Sequence, residues 1–386
     1  MGHRGHENAL VTHGLHAMPR GDDSAPLVLV TGGGGYIGSV LVPALLAEGY
    51  RVRAIDRFFF GRHTLPTHPR LEVIREDTRL LAPAFVAGAD SVIDLAALSN
   101  DPSGERFQDA TIAINHHARL RLATLAKAAG VGRYILPSSC SVYGFSDPSV
   151  IVTETDEPAP LTTYAAANLA AERDILPLAA EKFCVTVIRQ ATVYGVSPRM
   201  RFDLAINGMT YGAWKTGNLP LMRDGSQWRP MVHVSDTCAA MLFLLRAPST
   251  AVNGEIFNIG SDRNTYRLAS LAETVVLALP NPVTIAWYGE PDHRSYRVSF
   301  EKIEQLGWRA VFDAADGVRE IVAALEAGRI ARTPETITLE WYQELERWQR
   351  IVRETALHGG MVDLPTIQRP HAADLAAFAP ARAARG

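Results

Sequence analysis

One stretch limits what this chain can fold into. In LVLVTGGGGYIG, residues 27–38, five apolar or β-branched residues run straight into glycines at 32, 33, 34, 35 and 38, and an apolar helical pattern follows at once. Strand, tight turn and helix in that order make the first unit of a parallel sheet whose turn faces a ligand. Gly32, Gly35 and Gly38 let the backbone turn sharply and approach a pyrophosphate, and Tyr36 and Ile37 open the helix whose free N–H groups meet the charge. The next strand pattern, RVRAID, ends on Asp56, eighteen residues after Gly38. A carboxylate there accepts hydrogen bonds from both ribose hydroxyls of an adenosine and repels a 2′-phosphate, which favours NAD. The adjacent Arg57 is the residue that argues for NADP.

Downstream the same alternation continues through SVLVPALLAEGY, SVIDLAA, RYILPSS and VTVIRQ. Strands alternating with helices predict an α/β fold, a Rossmann-type doubly wound parallel sheet spanning residues 27–190. After Arg189 the rhythm changes. Pro, Gly and aromatic residues crowd residues 195–232, and strand-like pieces such as EIFNIG and PVTIAW lie among helices. This predicts a smaller mixed α/β substrate-binding lobe over 191–358, with 232–260 returning to the sheet and the ligand at the carboxyl ends of the strands. Residues 1–26 read as a flexible tail and 359–386 as a loosely ordered one.

Charge narrows the partners. Lys plus Arg number 38 against 41 Asp plus Glu, so no global field draws a polyanion and nucleic acid is excluded as principal partner. Cys140, Cys184 and Cys238 lack disulfide density and metal-ligand spacing, which fits reduced thiols and a cytoplasmic location. No signal-peptide run or membrane-length apolar stretch is present in the sequence. His3, His6, His13 and His16 fall in the tail with nothing to fix their geometry, so no metal site is expected.

Further segments then line up in order: Thr31–Gly38 as TGxxGxxG, Asp77 in REDTR, LAA at 95–97, Asn115 near a helix start, SSCSVYG at 138–144, Tyr164 after PLTT, RQATVYG at 189–195 and RPMVHVSD at 229–236. Together they resemble the extended short-chain dehydrogenase/reductase family of nucleotide-sugar epimerases and dehydratases, over about residues 27–350. The resemblance implies Tyr164 as the phenol that exchanges a proton with the substrate oxygen and Ser139 as the hydroxyl bonding that oxygen. It implies Asp77 and Thr78 beside the adenine, and Leu95, Ala96, Ala97 and Asn115 lining the cofactor. It also implies Ser141, Thr192, Arg199, Leu219, Arg229 and Arg294 on a sugar-nucleotide substrate, and a homodimer formed through two long helices.

One position departs from the family. Its Tyr-x-x-x-Lys is here Tyr164-Ala-Ala-Ala-Asn168. Positions i and i+4 share a helix face, so Asn168 still reaches a nicotinamide ribose, but it carries no charge. An ammonium about 6 Å from the phenol contributes roughly 3 kcal/mol at an effective dielectric near 20, about two pKa units. Tyr164 is therefore expected to be a poorer base. The substitution tilts toward ketone reduction, while SSCSVYG and RPMVHVSD resemble the 4-epimerases most. Epimerisation, keto-sugar reduction and a binding protein with impaired catalysis all stay open. Dehydration at C5 and C6 is disfavoured, because the family's Asp-Glu pair is Cys140-Ser141 here. Cys140 reads as a buried loop residue, His233 as structural, and His116 and His117 as a helix-surface pair.

Overall fold

Seven aliphatic, β-branched runs pair side by side in the computed structural model of the protein, which describes residues 24–355 apart from 146, 148, 223 and 290–294. They are β1 (Leu27–Thr31), β2 (Arg51–Asp56), β3 (Leu71–Arg75), β4 (Ser91–Asp94), β5 (Arg133–Ser139), β6 (Cys184–Gln190) and β7 (Glu255–Ile259). The sheet is parallel throughout, in the order β3-β2-β1-β4-β5-β6-β7. Every residue of β1 and of β6 is buried, as strands covered by helices on both faces must be. The strand order reverses between β1 and β4, where Thr31 and Asp94 stand opposite each other at the carboxyl ends. A crevice opens at such a reversal, and ligands of open α/β sheets bind there. The predicted terminal tails and Arg294 lie outside the described residues, apart from Ser24–Pro26.

Beyond β6 the chain builds smaller sheets. Thr192–Tyr194 pairs in parallel with Trp228–His233, which pairs antiparallel with Thr265–Arg267, and Asn218–Met222 runs parallel to Thr284–Tyr288. These strands and the helices Ala205–Thr216, Leu268–Ala278 and Ala314–Glu326 close around a core that includes Tyr194, Ile206, Leu221, Met231 and Ile321. Tyr36, from the glycine turn, belongs to that same core. The helix Thr338–Thr355 belongs to a second unit that begins at Thr338. Among the described residues no helix is long and apolar enough to cross a membrane, and no group of His, Cys, Asp and Glu is arranged to hold a metal. The three cysteines are free and buried.

The helix Thr163–Ile175 carries Tyr164 and is pinned to the sheet by charge. Its Glu172 meets Arg189 of β6, with Nη2–Oε2 at 2.8 Å and Nε–Oε2 at 3.1 Å, and the two side chains are only 2% and 3% exposed. Ser138 also donates to Glu172, and Arg189 donates to the Tyr143 hydroxyl at 3.0 Å. Breaking one side of such a pair strands a buried charge, at a cost of about 3–5 kcal/mol. Arg189→Met is thus expected to lower the denaturant midpoint markedly. The double variant Arg189→Met/Glu172→Met should recover most of the loss, as measured by urea unfolding.

Candidate active site

The glycine turn is built for close approach. Gly32 has φ of 65°, and a Cβ there would lie 2.8 Å from both the Ala96 nitrogen and the Leu95 carbonyl carbon. A Cβ on Gly38 would strike the Gly32 carbonyl oxygen and sit 2.7 Å from the Gly33 Cα. Only hydrogen fits at either place, so the turn nests directly against the strip Leu95–Ala97 that leaves β4. A buried polar network fastens the two. Thr31 donates its hydroxyl to Asp94 and accepts from the Ala96 N–H at 3.1 Å, while the Tyr134 hydroxyl donates to Asp94 Oδ2 at 2.6 Å. Asn115 acts one residue layer back. Its carboxamide accepts from the Leu98 N–H at 2.9 Å and donates to the Leu98 carbonyl at 3.0 Å, so it holds the strip in place rather than presenting its side chain to a ligand. The Tyr36 side chain likewise turns away: its hydroxyl donates to the Gly195 carbonyl at 2.6 Å and accepts from Asn207 at 3.0 Å. What Tyr36 and Ile37 can offer a pyrophosphate is backbone.

At the far end of the crevice, Asp56 accepts the N–H groups of Gly34 at 3.0 Å and Phe58 at 2.6 Å. Burial holds its carboxyl above the ordinary range, against the pull of those N–H groups and of Arg199. Arg57 does not stand ready for a 2′-phosphate. It pairs with Asp77 at 3.0 Å and lies over the Phe59 ring. Asp77 also binds Arg79 at 2.6 Å and caps the short turn beginning at Thr78, and the hydrogen-bonded Arg79 guanidinium holds its carboxyl below the usual value. The Asp77 carboxylate is therefore occupied by two arginines. The glycine cradle and the Asp56 carboxylate fit NAD, which is bound through diphosphate and ribose.

Tyr164 stands in the first turn of its helix, which Thr162 caps by accepting the Ala165 N–H at 3.2 Å. Gly104 leaves the space for it: a Cβ there would lie 3.0 Å from that of Tyr164. Ser139 ends β5 and accepts the Ser141 N–H at 3.1 Å, and its hydroxyl faces the phenol. Burial pushes the Tyr164 phenol above its ordinary value, and Asp101 adds to the rise. Arg119 is the chief influence pulling it back, with Ser139 and Arg201 also contributing. Asn168 faces the same side, but its carboxamide is committed. It donates to the Tyr164 carbonyl at 2.9 Å and accepts from Arg119 Nη1 at 2.7 Å. Arg119 arrives from a helix that widens to a π-type winding over Ala113–Ala118, directly before it.

The substrate-side expectations divide. Arg229 donates to the Trp228 carbonyl at 3.0 Å and lies over the Tyr296 ring at 5.4 Å, and Tyr296 is within electrostatic reach of Tyr164. The Ser141 hydroxyl is buried and without a partner among the described residues. Thr192, half-buried, opens its strand in register with Met231. Arg199 is elsewhere than expected: it stacks on the Phe60 ring at 3.6 Å and acts on Asp56 and Tyr36, at the cofactor end. Leu219 is a core residue. Alternation in NLPLM turns Leu219 and Leu221 inward together, so its side chain packs in the lobe and does not face a ligand. Sequence reasoning passed over Gln227, which is 3% exposed with both amide atoms unpartnered among the described residues. His233 is structural, accepting the Ser235 N–H and pairing with Glu320 at 2.9 Å. Cys140 is buried, its thiol pushed up by burial. His116 pairs with Asp174 at 2.6 Å.

Fold and site define a Rossmann-type, NAD-dependent enzyme. The profile of the NAD-dependent epimerase/dehydratase family matches residues 28–260, and the chain belongs to that family. UDP-glucose 4-epimerase of Mycolicibacterium smegmatis is 30% identical over 322 residues, covering 76% of this chain and 96% of that protein. UDP-glucuronic acid decarboxylase 1 of Arabidopsis thaliana is 26% identical over 317 residues, covering 77% and 69%. Among solved structures, MoeE5 in complex with UDP-glucose and NAD superposes with a TM-score of 0.69 at 30% identity, covering 78% of this chain and 99% of that one.

Asp56 gives a pH test. Its carboxyl keeps a proton to higher pH in the folded chain than in the unfolded one, so its ionisation lowers stability as pH rises through the window just above the ordinary carboxylate range. A ribose donor needs the anion, so NAD affinity should move the opposite way and weaken as pH falls through that window. Calorimetric titration with NAD should show this slope in the native protein and a much flatter one in Asp56→Asn.

Proposed function

We propose that this enzyme acts on a nucleotide-activated sugar, interconverting a hydroxyl and a ketone at a ring carbon in the course of an epimerisation. The observation that carries the reading is the convergence of Tyr164 and Ser139 at the end of β5, with Tyr296 in electrostatic reach of the phenol and Arg229 over the Tyr296 ring. Bound at the glycine turn, NAD supplies hydride acceptance and return at the sugar carbon. With its phenol ionised, Tyr164 Oη takes the hydroxyl proton as the carbonyl forms and gives it back as the carbonyl is reduced. Ser139 Oγ bonds the same oxygen and fixes its distance from the phenol. Arg229 is offered to the diphosphate, as a guanidinium fork suits. Gln227, two residues before it with a buried amide unpartnered among the described residues, supports a polar ligand at that end.

Epimerase relatives support this choice, as does the absence of a carboxylate at Cys140 and Ser141, where the elimination of water needs an acid and a base. One observation favours net keto-sugar reduction as the second reading: a phenol held above its usual range is already the acid a ketone requires. Cofactor retained through purification supports the epimerase, and cofactor lost on dialysis the reductase. A homodimer and a cytoplasmic location belong to the same reading. The segments expected to pair between subunits are helical at Arg119–Ala128 and Thr163–Ile175, and sedimentation equilibrium tests the pairing.

The decisive assay is a panel of UDP-, dTDP-, GDP- and CDP-sugars and keto-sugars, following NADH absorbance and product stereochemistry together. With the converted substrate, Tyr164→Phe should lower kcat by about 100-fold or more. Arg229→Ala should raise KM by about tenfold or more with a smaller change in kcat, as expected for a group that binds substrate and transition state alike. If no sugar nucleotide in the panel is converted, the reading fails.

A further inference from the structure

We infer that Arg119 supplies Tyr164 with the positive charge its own helix lacks, and that Asn168 is the bracket that holds the guanidinium in place. The inference rests on the proposed acid–base role of Tyr164. It begins with the surroundings of Arg119, which is 3% exposed, beside Asn168 at 1%. Its side-chain hydrogen bonds among the described residues go to two uncharged acceptors, Asn168 Oδ1 at 2.7 Å and the Ala96 carbonyl at 3.3 Å. Neither acceptor cancels the charge. A buried cation held only by dipoles keeps its field, and in a poorly screened site that field is felt by whichever group can become an anion.

Geometry says which group that is. One end of the Asn168 carboxamide holds Arg119 and the other donates to the Tyr164 carbonyl at 2.9 Å, so the guanidinium is tied to the helical turn that carries the phenol. Its other contact is the Ala96 carbonyl on the strip beside the glycine turn, so it joins the helix of Tyr164 to that strip. The remaining charges do not substitute for it. Arg201 also acts on Tyr164, but its Nε and Nη2 bind the Asp203 carboxylate at 3.0 and 2.8 Å, so the pair is close to neutral. Asp101 opposes ionisation, and its carboxylate accepts the Thr162 hydroxyl at 2.8 Å. Glu105 binds the Thr163 N–H at 2.6 Å on the outer side of the same turn. Tyr296, on the lobe side, is itself kept protonated by burial. Asp94 lies nearby, bonded by Tyr134, which also bonds the Arg119 carbonyl, but its carboxylate is shared between Thr31 and Tyr134. Among the described residues Arg119 is thus the cation at the phenol with no carboxylate hydrogen-bonded to it.

This explains why residue 168 is an amide. A lysine there would press an ammonium against the guanidinium, whereas asparagine offers an oxygen to one neighbour and an N–H to the other. Charge from a neighbouring helix and an amide at 168 are two halves of one solution.

The test reads the phenol directly. The full-length protein is made with 3-fluorotyrosine at position 164, whose phenol is more acidic than that of tyrosine, and titrated by fluorine NMR with and without NAD. Arg119→Met should raise the apparent pKa by about one unit or more, a tenfold or greater loss of acidity. Arg119→Met/Asn168→Lys, which moves the charge to the helix of Tyr164, should bring it back to within about half a unit. Asn168→Asp keeps the shape and the acceptor for Arg119, gives up the bond donated to the Tyr164 carbonyl, and puts a carboxylate on the guanidinium. It should raise the pKa as Arg119→Met does, and it serves where the methionine variant does not fold. A titration that ignores both Arg119→Met and Asn168→Asp overturns the inference. Shifts as expected uphold it even when no sugar nucleotide is converted, in which case the functional reading is what fails. Conversion of a sugar nucleotide with an unmoved titration has the reverse meaning.

Discussion

Everything in this site depends on two backbones touching. The glycine turn after β1 and the strip after β4 lie so near each other that a single methyl group at Gly32 would meet main-chain atoms of Leu95 and Ala96. Such contact needs a reason to persist, because it brings peptide dipoles together away from water. The reason is Asp94, buried at the end of β4, with Thr31 on one oxygen and Tyr134 on the other. Thr31 passes the connection to the Ala96 N–H. The floor of the crevice is therefore set by a hydrogen-bonded chain across three neighbouring strands. Side chains that reach the ligand are added on top of it.

On that floor, charge is spent unevenly. Arginines are numerous near the crevice, yet most are matched: Arg57 and Arg79 to Asp77, Arg201 to Asp203, Arg189 to Glu172. Matched pairs hold the architecture and leave little field behind. Arg119 is held by dipoles instead. A chain with near-balanced totals can in this way present a local positive potential without any basic surplus.

What the sequence revealed and what it hid follows from distance along the chain. The glycine turn, Asp56 and the Tyr164–Asn168 pair were legible because each depends on spacing within one element or one βαβ unit. Arg119 was not: its partner Asn168 is 49 residues away, and no local pattern links them. Asp94 and Gln227 were hidden for the same reason, since their meaning lies in partners that are present across the sheet or missing in the lobe. Leu219 is a different case. The alternation of NLPLM already turns it inward with Leu221, and a stricter use of the two-residue period reads it as core. Arg199 sits in a loop, where position along the chain says little about direction.

The wide winding at Ala113–Ala118 sets the angle at which Arg119 leaves its helix. A π-type turn takes up one residue more than an α-helical turn, so the extra residue is absorbed within Ala113–Ala118 and the downstream face, Arg119 included, stays in line with the upstream one. Asn115, inside that winding, holds Leu98, while Arg119, directly after it, reaches the Ala96 carbonyl and Asn168. One helix thus grips the strip beside the glycine turn twice, through an amide inside the wide winding and a guanidinium at its end.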